Sequence, residues 1–322
     1  MEHLELLDTV RRPLSPDSQI EIPASRSESV QEILEEEGAK FPRLQYDGVR
    51  KVAIVSAAPS PLHGVMIGQL LRKKYLSLDE NIKDRLSSAH DYRNTKDTGD
   101  IPTTRNWDGA LQYRTAEGLT LMVAVEVGLT QSHASLRAAI SFSVCALRCR
   151  VGIAMCISQG VCGKRPPTKY YATLEEKMAA IQEVERVLRP QLRANSFGPL
   201  KIGADTGFGK VTTVVLETYR LEDETSQPDT LLNPTQSFTI VDDGRFVGGE
   251  VPANLEELIL GDCIPTHILG GNNIAATPVN FFHQDWFEES FRSAMSKGMM
   301  QSSMSSACHT SCGYRADTNC FF

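Results

Sequence analysis

Residues 107–141 read WDGALQYRTAEGLTLMVAVEVGLTQSHASLRAAIS, and the rest of the chain arranges itself around them. An aspartate enters a strand, Ala116-Glu117-Gly118 supplies a turn, a strongly apolar strand runs into a glutamate, and a helix follows. From Leu119 to Val127 the apolar run is interrupted by Thr120 and Glu126 alone. Its length and valine content predict a strand buried on both faces. A carboxylate inside such a strand is costly unless it is paired or holds a metal. Adjacent antiparallel strands would bring Asp108 and Glu126 together as hard oxygen donors of the kind that bind magnesium or manganese. Read from the residues alone, the plainer interpretation is structural: Glu126 pairs with Arg137 or another base, and Asp108 caps a turn through its side chain.

Upstream, RLQYDGVRKVAIVS (43–56) predicts a β-hairpin with Asp47-Gly48 as a two-residue turn. In SAAPSPLHGVMIGQLL (56–71) the prolines break the chain and helical spacing follows, with His63 at the helix start. Residues 79–106 are polar and read as a long connection with a short helix around 81–88. Downstream, the spacing predicts a helix over Gln131–Leu147, a strand over Cys149–Ser158 and an amphipathic helix over 173–195 capped by Thr173. Strands are expected at Val211–Leu221 and Ser237–Ile240, and a short helix at Leu255–Leu260. The glycine-rich GPLKIGADTGFGK (198–210) lacks the order of a phosphate-binding loop.

Residues 1–27 are Pro/Ser-rich and read as a flexible arm, with a capped helix between Ser29 and Gly38. Beyond Gly270 the patterning fades, leaving QDWFEESFRSAM (284–295) as a last short helix before a disordered tail. The chain therefore divides into an acidic arm (1–40), a folded body (41–270, with a helical insertion near 168–197) and a low-complexity tail (271–322).

The order Asp108, then a strand ending in Glu126-Val127-Gly128, then Thr130-Gln131-Ser132 and a helix resembles the core of the PD-(D/E)xK nuclease fold. It is most similar to the Uma-two family of endonucleases and to uncharacterised fungal proteins with an EVG-(S/T)-x-S core. The proline-rich turn, His63 and first helix fit, as do TVVLETYRLEDE (213–224) and PANLEELIL (252–260) as closing hairpin and final helix. The resemblance implies an α/β (α+β), restriction-endonuclease-like mixed sheet flanked by helices, with disordered tails at both ends. It implies a magnesium or manganese ion on Asp108, Glu126 and the Val127 carbonyl. His63 would orient a phosphate or a site carboxylate, Gln131 would supply polar contacts, and Arg137 would stabilise charge. It also implies a nucleic-acid partner, DNA before RNA, and a homodimer. Two departures matter. Gly128 stands where these nucleases usually carry a lysine, and the expected helix acid falls on Ala138 or Ala139. They favour a second reading, a catalytically inactive nuclease-fold scaffold.

Composition limits the choices further. The net charge of −7 argues against a protein that coats nucleic acid indiscriminately. Residues 1–40 carry ten acids and four bases, a net −6, so the remainder is −1 and can accommodate a local basic groove. The eight cysteines form no C-x-x-C pair and are expected reduced; Cys308, His309, Cys312 and Cys320 make a poor ligand set. No apolar run approaches the roughly 20 residues of a membrane span. The acidic start, MEHLELLDTVRR, lacks the layout of a secretion signal. An intracellular protein, in cytoplasm or nucleus, is expected.

Overall fold

The computed structural model describes residues 19–23, 25, 43–47, 51–56, 63–68, 71, 80–96, 103–115, 118–129, 133–160, 173–202, 205–221, 230–247, 258–269, 272–277 and 287–296. The strands are β1 (Gln19–Pro23), β2 (Arg43–Asp47), β3 (Val52–Ser56), β4 (Leu86–Lys96), β5 (Thr103–Thr115), β6 (Gly118–Gly128), β7 (Val151–Gln159), β8 (Leu200–Ile202), β9 (Asp205–Phe208), β10 (Val211–Arg220), β11 (Gln236–Asp242) and β12 (Arg245–Phe246). The helices are α1 (63–68, with 71), α2 (Glu80–Lys83), α3 (His133–Cys145), α4 (Leu174–Ala194), α5 (Leu260–Cys263), α6 (Thr266–Leu269), α7 (Asn272–Ala275) and α8 (287–296). Among the described residues no helix is long and apolar enough to cross a membrane.

One sheet of ten strands dominates, ordered β1-β3-β2-β5-β6-β7-β10-β11-β12, with β4 paired along the other edge of β5. Its neighbours run antiparallel except β6 and β7, which are parallel from Val123↔Val151 to Gly128↔Cys156. A parallel pair needs a long crossover, and α3 provides it. β6 is the middle of this arrangement: Leu121 to Gly128 are all buried, whereas Leu119 is exposed. Val123, Val125 and Val127 pack in one core with Met66, Ile67 and Leu71 of α1. Ala124 faces the other way, into a core with Trp107 and Phe142 of α3. Helices therefore cover both faces, and the mixed α/β architecture follows from a strand apolar on both sides.

Close approach between α3 and the sheet depends on Gly152. A Cβ there would lie 2.5 Å from Ile140 Cγ2 and 3.1 Å from Val144 Cγ2. Gly152→Ala is expected to cost about 2 kcal/mol through overpacking, read as a shift in the urea unfolding midpoint.

Several expectations need correction. The polar segment 79–106 is not chiefly a connection. After α2 it forms β4, an edge strand whose hydroxyl, amide and charged residues suit a sheet border and conceal its pattern. Within the arm, Gln19–Pro23 is a strand paired with β3, and Ile22 is buried; its alternation was legible but short. Asp47 pairs with Val52, so the hairpin closes over four residues (48–51) instead of two. Helix α3 stops at Cys145, and Arg148 takes a left-handed φ of 57° before β7. The glycine-rich 198–210 segment carries the small β8–β9 ribbon.

Thr173 caps α4 as expected, its Oγ1 accepting the Glu176 N–H at 3.1 Å. Only the later part of this 21-residue helix reaches the core, through Leu188 and Leu192, while Leu174 and Met178 are exposed. A helix of that length spans about 31 Å.

The expected tail also contributes to the core. Phe287, Phe291, Ala294 and Met295 of α8 are buried in the same cluster as β6, β7 and β10. The folded body thus extends beyond 41–270 at both ends. The helix expected at Ser29–Gly38 lies outside the described residues, as does Cys308–Cys320. Of the helix expected at Leu255–Leu260, residues 255–257 also lie outside them, and the described helix begins at Leu260.

Candidate functional site

Where β5 and β6 part, two carboxyl groups meet. Their pairing includes Gly109↔Val125, and the next step of that register sets Asp108 opposite Glu126. Asp108 and Glu126 are both buried, at 8% and 9% exposure. Neither could stay there without partners. The His63 Nε2 lies 2.6 Å from Asp108 Oδ1, and the Val127 N–H donates to Asp108 Oδ2 at 2.8 Å. Helix α1 is the element that delivers His63: its Ile67 and Leu71 pack over Gly109, where a Cβ would come within 2.7 Å.

The electrostatics follow from this enclosure. Burial pushes the Asp108 carboxyl up, but His63's charge and hydrogen bond, a hydrogen bond shared with Glu126 and the Val127 N–H together hold it below its ordinary value. Asp108 is thereby kept ionised in a place where an isolated carboxylate would not be.

The other sequence candidates divide. His63 joins the carboxyl pair. Val127 reaches it through its N–H, a donor that cannot ligate an ion, and not through the carbonyl named as a ligand. Arg137 does not pair with Glu126 in the way the plainer reading proposed: its guanidinium donates from Nε to the Leu232 carbonyl at 2.6 Å and from an Nη to the Asn233 side chain. Those partners lie beside β10 and β11, so Arg137 braces α3 against that side of the sheet. Gln131, with Thr130 and Ser132, lies outside the described residues.

A second polar centre was missed. Glu217 of β10 is 4% exposed, and its Oε2 lies 2.8 Å from the His133 Nε2 at the start of α3. Tyr219 donates its hydroxyl to the same oxygen, and the Ser237 hydroxyl donates to Oε1 at 3.4 Å. The cost of burial raises the Tyr219 hydroxyl's pKa, and Glu217 adds to the shift. Burial likewise raises the Cys156 thiol, with Glu217 contributing. The signal was present in the sequence: VVLETY (214–219) places a glutamate inside an apolar strand just as VAVEV (123–127) does.

Glu126 and Glu217 share one face of the sheet. Glu126 is in register with Ala154, and Ala154 with Glu217. Ala154 and Tyr219 pack with Leu136 and Ile140 of α3, so this row points toward that helix. Strands are about 4.8 Å apart, which sets Glu126 and Glu217 about 10 Å apart at the backbone.

Among the described residues no group of three or more His, Cys, Asp and Glu side chains is arranged to hold a metal ion. Comparison with protein-family models, with curated proteins and with solved structures gave no match.

Proposed function

We propose that this chain is a metal-dependent nuclease-fold protein that hydrolyses nucleic-acid phosphodiesters, DNA before RNA, at the Asp108–Glu126 centre. The observation that carries this reading is the meeting of two buried carboxyls from adjacent strands, beside the one parallel strand pair and the start of its crossover helix. The order of elements supports it: α1 with His63, the Asp108 strand, the Glu126 strand, α3 and then β7 follow the sequence expected from the PD-(D/E)xK resemblance.

The donor set suits magnesium or manganese better than zinc. Magnesium keeps several waters and takes only one or two protein carboxylates, whereas zinc needs three or four nitrogen or sulfur-rich ligands. Asp108 and Glu126 would hold the ion, with the Val127 peptide at its side. Such an ion polarises a phosphodiester and lowers the pKa of a bound water. The chain's own contribution is preorganisation. His63 and the Val127 N–H fix the Asp108 carboxylate, and burial strengthens every charge interaction in the centre.

A specific observation favours the inactive-scaffold reading. Both Asp108 oxygens already have partners, and Gly128 supplies no charge where a lysine is usual. Calorimetric titration of magnesium and manganese into the wild type, Asp108→Ala and Glu126→Ala separates the two readings. Binding weakened at least about 100-fold by either substitution, near 2.7 kcal/mol, with cleavage of plasmid DNA by the wild type, is the expected result. Glu126→Gln and a circular dichroism spectrum of each variant guard against loss of fold. A folded wild type that takes up neither ion sinks the mechanism and leaves the scaffold.

A further inference from the structure

Hydrolysis at this centre needs a proton acceptor, and position 128 is glycine. We infer that His133, held by Glu217, is the general base of the site, with Glu217 as its positioning residue; this rests on the nuclease reading above. The geometry is that of a carboxylate–imidazole pair. Glu217's side chain is 6% exposed and His133's is 53% exposed, so one partner is fixed in the core while the other faces outward. A carboxylate only accepts, so the Nε2 of His133 donates the 2.8 Å hydrogen bond, and in a neutral imidazole so held the lone pair is on Nδ1. Tyr219 and Ser237 hold Glu217 from β10 and β11.

Glu217 stands in the same row and on the same face as Glu126, with only Ala154 between them. His133 projects from the first residue of α3, the helix that connects β6 to β7. Glu217 of β10 faces it, Tyr219 of β10, Ser237 of β11 and Cys156 of β7 surround Glu217, and Arg137 lies one turn along its own helix. Arg137 is tied to Leu232 and Asn233.

In the step, the oxygen of a water attacks phosphorus as its proton passes to Nδ1 of His133. The phosphorus–oxygen bond to the leaving group breaks with its electron pair on that oxygen, which takes a proton from solvent. The imidazolium then returns its proton to solvent. General bases of this kind contribute about 100-fold or more.

Three proteins test this: the full-length wild type, His133→Ala and Glu217→Gln. Nitrogen-15 NMR of the metal-free wild type is expected to show the neutral form of His133 as a single tautomer protonated at Nε2. With manganese and plasmid DNA, His133→Ala is expected to cleave about 100-fold more slowly while its manganese affinity stays within about 2-fold of wild type. Added imidazole should restore part of that rate, and Glu217→Gln should lose about 10-fold. His133→Ala cleaving at the wild-type rate overturns the role alone, as does a slow variant that imidazole cannot rescue or a mixture of tautomers in the wild type. A wild type that binds manganese but cleaves nothing overturns the nuclease activity together with this role. Because His133 is half exposed, its alanine variant keeps the test valid even if Glu217→Gln fails to fold.

Discussion

Phe291→Ala is expected to destabilise the protein by about 4 kcal/mol and to do so in one cooperative transition shared with the sheet. Phe291 is fully buried, and its ring lies 4.8 Å from Phe287 and 5.4 Å from Phe197. Phe197 in turn meets Phe246 edge-on at 5.0 Å. The cluster joins α8, the segment after α4 and the short strand β12, elements far apart in sequence. Truncation therefore removes apolar area and aromatic contacts together and leaves a cavity that three different elements would have to close. The measurement is urea unfolding followed by both circular dichroism and tryptophan fluorescence. An effect below about 1 kcal/mol, or an early separate transition, would mean that α8 is an appendage and that the body ends near residue 270 after all.

His63→Ala is expected to cost about 3 kcal/mol at neutral pH, because it leaves Asp108 buried beside Glu126 without its imidazole partner. The sign of the pH dependence follows from the direction of the Asp108 shift. Its folded pKa lies below the ordinary 3.8, so its contribution is present above that ordinary value and is lost as pH falls through the folded one. Without His63, burial pushes the carboxyl upward. A carboxyl whose folded pKa exceeds its unfolded value is taken up protonated more readily by the fold, so the variant's Asp108 penalty is relieved as pH falls while the wild type's gain is lost. The two unfolding free energies should differ most above about pH 5 and converge in strong acid. Denaturation curves at pH 7, 5 and 3 check this. A difference that does not change over that range would mean that His63 acts by packing alone. Asp108→Asn should remove this pH-dependent part.

Both substitutions probe contacts that join distant parts of the chain, and that distance explains what was readable in the residues. Local signals did well. The double-sided apolar run of β6, the spacing of α3 and the Thr173 cap follow from nearest neighbours along the chain, because periodicity and capping are local physics. The adjacency of Asp108 and Glu126 was also within reach, since a short turn joins their strands and antiparallel pairing then fixes the register.

The rest was decided at long range. Strand β4 has no apolar alternation because an edge strand next to solvent does not need one, and it exists because β5 offers it an unpaired border. Helix α8 looked like part of a low-complexity tail because Phe287, Phe291, Ala294 and Met295 acquire meaning only from the rings and strands they meet. Arg137 was a candidate partner for Glu126 by proximity in sequence, but its guanidinium reaches residues 232 and 233 on the other side of the helix.

The same division runs through the site. That a buried strand carries a carboxylate, at Glu126 and equally at Glu217, and that such groups need partners, is legible in the residues. Which partners those are depends on the fold. His63 comes to Asp108 because α1 packs on Gly109, and His133 comes to Glu217 because α3 must cross from β6 to β7 over the row that ends on β10. Pairing a buried charge is a requirement that the chain states locally, but the nearest group able to meet it is chosen by the fold, because burial and strand order bring together residues that no sequence interval connects.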